Sequence, residues 1–424
     1  MLVFACAAFA DEANTEDMVK TIKALQAQVK QQAERLNELE AKAARQQESW
    51  AKIAKEIADD AGKRPDVPGW LDNLKFYGDL RLRYQGECFS GRPEGDSEKK
   101  RNRLRFRLRF GIKKTWLDEQ LEVGFRLASG SCPAANSTNQ SFDDHFTEKP
   151  VWIDLAYAKY RPNWLKGLTV IGGKMENPLV HTDLIWDSDV NPEGLWVQYA
   201  HAFNSFEPFA NVGYWILDEN YYSPTGIVTD PHTLRDVILF TYQVGFHWAI
   251  TKDIKWTCAG TYYDYDHYDV SFWDGGGNHE VDGRLMARQF HMINFTNKVG
   301  FKLLDLPWKA YFDIVCNCGE QDRDTDYDDQ GVGYAVGLKV GKNKKKGDWS
   351  VGYKYAYIEA NCTPGAFNDS DFGGTNRKGH VWSGVYNLTD FLTVGARVFW
   401  TEPVTGPHDD ERDVLTQVDL VWSF

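Results

Sequence analysis

No apolar run long enough for a transmembrane helix follows residue 10, and the mean hydropathy is only −0.51, so a helical membrane bundle is excluded. Positive charge is in deficit as well: 48 Lys and Arg against 61 Asp and Glu leave a net charge of −13. A phosphate-binding surface needs clustered cations, so nucleic acid is excluded as a partner. Catalytic fingerprints are missing. There is no GxSxG, HExxH, phosphate loop or dinucleotide motif, and the 10 His, His181, His201, His247, His291 and His380 among them, are scattered. The expectation is therefore no enzyme, no catalytic residue, no cofactor and no bound metal. Cysteine is scarce at 7 residues, and Cys316-Asn317-Cys318 lacks the two-residue spacing of a redox or zinc motif.

What the chain does have is aromatic weight, 14% of its 424 residues, in a sequence of low hydropathy. That combination suits a membrane β-barrel, in which only alternate residues meet lipid while aromatics collect at the two interfaces. The first ten residues, MLVFACAAFA, are apolar and end in the small-x-small pattern Ala8-Phe9-Ala10. They read as the remnant of a signal peptide, residues 1–10, cleaved before Asp11, although no Lys or Arg precedes the apolar stretch. Cleavage there would leave Cys88, Cys132, Cys258, Cys316, Cys318 and Cys362, an even count that permits disulfides in an oxidising compartment without fixing their pairing.

Residues 11–62 read as a coiled coil. Met18, Ile22, Leu25, Val29, Leu36, Leu39, Ala43, Trp50, Ile53 and Ile57 fall at three- and four-residue spacings, with Gln32 and Gln46 also on the seam and no Gly or Pro between residues 15 and 60. The mixed seam does not decide between two and three strands. Gly62, Pro65, Pro68 and Gly69 then make a linker over residues 63–73.

From residue 74 to 424 the period changes to two. In RNRLRFRLRFGIKK, Leu104, Phe106, Leu108 and Phe110 face one way while Arg103, Arg105, Arg107 and Arg109 face the other. A soluble sandwich could not easily hide either face. The same reading places strands near residues 74–86, 101–117, 120–130, 151–162, 168–175, 194–203, 206–218 and 237–250. It places eight more near 254–266, 289–304, 308–319, 331–341, 348–361, 378–389, 391–402 and 413–424, giving about sixteen for a closed barrel. Connections alternate between short turns, such as Asp118-Glu119, Asn204-Ser205, Thr251-Lys252-Asp253, Asp305-Leu306-Pro307 and Thr389-Asp390, and long loops rich in Gly, Asp and Asn. Trp116, Trp164, Trp248, Trp256, Trp308 and Trp349 sit beside the short turns, where a periplasmic aromatic girdle belongs.

The chain ends LTQVDLVWSF, with Val418, Leu420, Trp422 and Phe424 on one face. A last strand closing on Phe resembles the signal read by the outer-membrane assembly machinery. Together with FYGDLRLRYQ, RNRLRFRLRFG, GFRLASG, GGKMENP and WDSDVNPEG, it makes the chain similar over nearly its full length to the porins of Gram-negative outer membranes that carry a coiled coil before the barrel. The resemblance implies a homotrimeric diffusion pore among outer-membrane lipid and lipopolysaccharide, its coiled coil in the periplasm, where peptidoglycan or envelope proteins are conceivable partners. It implies no solute.

If apolar positions face lipid, Arg81, Arg83, Arg103, Arg105, Arg107, Arg109 and Arg126 line one wall of the lumen, with Lys174 nearby on the fifth strand. The third long connection carries Asp183, Asp187, Asp189 and Glu193. Folded inward, as in general porins, those acids would face the arginines and set a transverse field at the narrowest point. Acidic runs at Asp264, Asp266 and Asp269, at residues 322–329 and at residues 409–411 lack a calcium-loop motif and suit solvated loops. The function expected is passive diffusion of small hydrophilic solutes or ions. The alternative is an envelope tether in which the coiled coil carries the function and the barrel is an anchor.

Overall fold

The computed structural model describes residues 69–89, 100–131, 135–219, 236–268, 276–281, 284–285, 289–319, 330–406 and 412–424, with scattered positions between 30 and 55. The chain divides into two units, Met1–Asp72 and Asn73–Phe424. In the first, the scattered positions from Lys30 to Lys55 have helical backbone and exposed side chains, but no continuous helix is described. The coiled coil expected over 11–62 otherwise lies outside the described residues, as does the segment 1–10.

The second unit is a single antiparallel sheet that closes on itself. Its strands are β1 (Leu74–Phe89), β2 (Lys100–Trp116), β3 (Leu121–Ser129), β4 (Val151–Tyr160), β5 (Leu168–Lys174), β6 (Glu193–Ala200), β7 (Phe206–Asp218) and β8 (Val237–Ala249). They continue with β9 (Lys255–Asp266), β10 (His291–Leu303), β11 (Leu306–Asn317), β12 (Val332–Gly341), β13 (Trp349–Ile358), β14 (Arg377–Asn387), β15 (Leu392–Pro403) and β16 (Asp413–Ser423). The sheet has 17 members, one of them the two-residue Gln140–Ser141 that hydrogen-bonds to β2, which leaves a closed barrel of 16 strands. These coincide within a few residues with the segments read from the alternation. Each strand pairs with the next, and β16 returns to β1 in the register Leu80↔Trp422 and Arg83↔Asp419. Beyond the ladder, Gly78 and Phe424 exchange backbone hydrogen bonds at 2.9 and 3.1 Å, tying the final aromatic to the first strand. No sheet edge is left, as a backbone surrounded by lipid requires.

The alternation explains which face is which. Leu82, Tyr84, Leu104, Leu108, Phe110, Val212, Tyr242, Val244 and Val351 are all more than a third exposed on the outer wall. Their inward neighbours Arg83, Gln85, Asn211, Thr241, Gln243 and Ser350 are buried. That is a soluble protein turned inside out, with apolar groups outward and polar groups within. Trp116, Trp164, Trp248 and Trp349 stand exposed beside the short turns, and the Trp248 ring lies 6.3 Å from that of Trp256 at a tilt of 34°, forming the aromatic belt at that end. One short turn differs from expectation. Leu304 and Asp305, at φ 52° and 61°, make the two-residue hairpin, and Leu306 and Pro307 already belong to β11.

Cys88, Cys258, Cys316, Cys318 and Cys362 are free thiols, so the permitted loop staples do not form among the described residues; Cys132 lies outside them. The acidic runs at 322–329 and 409–411 also lie outside. No helix among the described residues is long and apolar enough to cross a membrane.

Candidate constriction of the lumen

The arginine wall is built by register. Alternation on β1 and β2 turns Asp79, Arg81, Arg83, Gln85 and Glu87 inward, and the ladder sets Arg103, Arg105, Arg107 and Arg109 beside them. Guanidinium groups in a row repel, so each needs compensation. Asp79 accepts from Arg107 Nε at 2.9 Å and from Arg109 Nε at 2.6 Å. Asp419, on β16, takes both arms of Arg83 at 2.7 and 2.9 Å, a planar fork matched to a carboxylate. Arg81 donates to the Asn139 side chain at 2.5 Å, Arg105 to Gln85 at 3.1 Å, and Arg103 pairs with Glu87.

Opposite this wall runs the third long connection, residues 175–192, which folds into the barrel. Its course follows from short-range polar turns: Asn177 Oδ1 accepts the Leu179 N–H at 3.1 Å, Thr182 Oγ1 the Leu184 N–H at 3.2 Å, and Asp187 Oδ1 the Asp189 N–H at 2.8 Å. The loop is amphipathic. Leu184, Ile185, Trp186 and Val190 are buried in one apolar cluster with Tyr263, Tyr265, Phe290, Met292 and Val315 of the β9–β11 side. Its polar groups bind the lumen wall: Thr182 donates to Asp313 at 2.5 Å, Gln243 donates to the Val180 carbonyl at 3.0 Å, and Lys354 reaches Asp183 at 2.6 Å. On the far side Asp189 lies 3.6 Å from Arg107 and 3.9 Å from Arg109, and accepts the Thr138 hydroxyl at 2.9 Å.

A second loop completes the structure, and sequence reasoning missed it. The seventh long connection, residues 359–376, also folds inward, where Asn368 donates to the Leu184 carbonyl at 2.5 Å and the Asp187 N–H to the Phe367 carbonyl at 2.8 Å. Asp371 meets Arg83 at 3.3 Å and Asp369 meets Lys354 at 3.6 Å. Gly374, at φ 79°, lets the backbone pass Gly276 where a Cβ would stand 2.0 Å from a carbonyl oxygen. A signal was available: Asp187-Ser188-Asp189 recurs as Asp369-Ser370-Asp371.

Between these loops and the wall lies a cavity of about 660 Å³. It is lined by Arg81, Arg83, Arg107, Arg109, Lys309, Lys339, Lys354 and Arg397, and by Asp183, Asp187, Asp189, Asp369 and Asp371. Arg103, Arg105 and Arg126 face the interior away from it; Arg126 binds Asp154 at 2.5 Å and Glu176 at 2.8 Å. Two expectations are corrected. The ladder Ala156↔Lys174↔Glu193 sets Lys174 and Glu193 on the outward face, opposite the buried Ile171 and Trp196. Glu193 also begins β6 rather than belonging to the loop, and the two side chains bind each other at 2.8 Å. The cations Lys309, Lys339, Lys354 and Arg397 were not foreseen, although each obeys the two-residue alternation.

The carboxylates are not equivalent. Burial, then the neighbouring Asp369 and Asp189, push the Asp187 carboxyl up to about 8, and burial together with Asp371 and Asp183 lifts Asp369 to about 6 against the pull of Lys354. Raised values mean neutral acids below that range and added negative charge above it. The ratio of anion to cation permeability is therefore expected to fall between about pH 5 and about pH 9, and Asp187→Asn should remove the upper part of that change; reversal potentials across the pH series measure it.

The family described as "Putative porin" matches residues 92–272 and 281–424. The solved structure of Pseudomonas putida OprB at high pH is 14% identical, covers 88% of this chain and 97% of its own, and superposes with a TM-score of 0.53, a likeness of fold. A multiply substituted Rhodopseudomonas blastica porin is 10% identical, covering 83% of this chain and 100% of its own at a TM-score of 0.44. No curated protein sequence matches the chain.

Proposed function

This chain belongs to that porin family, and from this premise we propose that its barrel is a water-filled outer-membrane pore for passive diffusion of small hydrophilic solutes or ions, narrowed where loop 175–192 faces the arginine wall. The observation that carries the reading is the charge arrangement across the 660 Å³ cavity: Arg81, Arg83, Arg107 and Arg109 on one side and, on a loop crossing the other, Asp183 and Asp189, with Asp187 adding its charge at alkaline pH. A structural anchor needs only the apolar outer face. Opposed charges held at a narrow passage orient dipolar solutes and reject apolar ones, because an apolar molecule would strip their hydration without replacing it.

Orientation follows from the same reading. The short turns with their tryptophan belt face the periplasm, and the long loops face outside. From the heptad spacing of Ile22, Leu25, Val29, Leu36 and Leu39 we infer a coiled coil over residues 11–62, and from resemblance to the family a homotrimer.

Swelling of liposomes containing the purified protein tests the proposal. Small sugars and amino acids should enter, with rates falling steeply as solute size rises. Liposomes that hold folded barrel and never swell would overturn it.

A further inference from the structure

One side of the lumen carries cations that no carboxylate among the described residues pairs with directly. Along the inward face, ladder partners run Lys255↔Gly300, Gly300↔Lys309, Lys309↔Lys339, Lys339↔Gly352, Gly352↔Ser383 and Ser383↔Arg397. Four cations are thus strung across seven adjoining positions with only Gly and Ser between them. Lys255, Lys309, Lys339 and Arg397 are all exposed, and none forms an ion pair with a carboxylate among the described residues. This contrasts with the arginine wall on β1 and β2, where Arg83, Arg103, Arg107 and Arg109 each hold one.

Two features make the row more than a solvated face. Lys309 and Lys339 are direct ladder partners, and like charges placed opposite one another destabilise a sheet unless a counter-ion or water separates them. The row also has direction: Lys255 and Lys309 border the hollow beside the short turns, while Lys309, Lys339 and Arg397 line the constriction cavity. Glycine at 300 and 352 keeps the floor between them low. A narrow aqueous passage with low-dielectric walls concentrates the counter-ion of whatever charge is left unpaired. The acids across the cavity offset this little, since Asp183, Asp189 and Asp371 are already engaged by Lys354, Arg107 and Arg83.

We propose that Lys255, Lys309, Lys339 and Arg397 form a basic path from the short-turn mouth to the constriction that selects small anions, inorganic phosphate and short carboxylates being the class of solute it fits. The inference rests on the pore reading and names its substrate class.

The test is the reversal potential of the reconstituted full chain under a potassium chloride gradient, with inorganic phosphate as the added probe. Chloride should be preferred over potassium, phosphate should reduce the chloride current reversibly, and the combined variant Lys309→Gln, Lys339→Gln, Arg397→Gln should lower the preference by about threefold or more. Lys339→Gln alone should give part of that shift, which keeps the test available if the triple variant assembles poorly. Lys149→Gln, on an exposed loop, should change nothing. A potassium preference, or a preference untouched by the substitutions, overturns the anion path and leaves the pore reading standing. Folded protein without conductance overturns both.

Discussion

Replacing Asp419 by alanine is expected to destabilise the barrel by about 3 kcal/mol, because it strands a buried charge at the point where the sheet closes. Arg83 is 2% exposed, and Asp419 takes two of its donors at 2.7 and 2.9 Å. The remaining partner, Asp371, stands at 3.3 Å on a loop. Arg83 and Asp419 are ladder partners between β1 and β16, so a guanidinium left with this one longer contact would sit on the seam that joins the ends of the chain. Substituting both, Arg83→Leu with Asp419→Leu, should recover much of the loss, since the penalty comes from the orphaned charge rather than from a missing attraction. Denaturant unfolding in detergent micelles, followed by tryptophan fluorescence, measures the difference. A single variant as stable as the parent would show that the fork contributes nothing to closure.

The strands were legible in the sequence because lipid imposes one rule on every one of them. Outward positions must be apolar, so LRFRLRF on β2 and VDLVW on β16 could be assigned to faces without knowledge of their neighbours. The rule fails where a strand carries too little on either face. Gly172-Gly173-Lys174 offers no outward side chain to fix its parity, and only the ladder to Ala156 shows that Lys174 points away from the lumen. Pairing was hidden for a related reason. That Asp79 bridges Arg107 and Arg109, or that Asp419 meets Arg83 from the other end of the chain, depends on register across strands and not on spacing along one.

Loops were harder still. The acids of loop 175–192 stand out in the sequence, but whether a loop turns inward depends on apolar residues finding a partner surface. Here Leu184, Ile185 and Trp186 find Tyr263, Phe290 and Met292. Loop 359–376 turns inward with Phe372 buried in the same cluster and Phe367 packed against it, on a Gly-rich stretch that reads as an ordinary external loop.

Removing the inward loop should produce the largest change in transport. Lys174 and Glu193 are ladder partners, so the loop leaves and re-enters the wall at one point, and a short Gly-Asn turn in place of residues 176–191 can close that hairpin without disturbing the strands. The loss of Asp183 and Asp189 leaves Lys354 with Asp369, and Arg107 and Arg109 with Asp79, so no wall cation in those pairs is stranded. Sixteen strands enclose an aqueous channel wider than the passage left beside the loop, and conductance should rise by about twofold or more, with weaker ion selectivity. Single-channel recording of the intact and loop-trimmed proteins in planar bilayers is the most direct measurement. Discrete, long-lived openings are expected for the intact chain and larger, less selective ones for the trimmed chain. Equal conductance in the two, or a folded barrel that never opens, would contradict it.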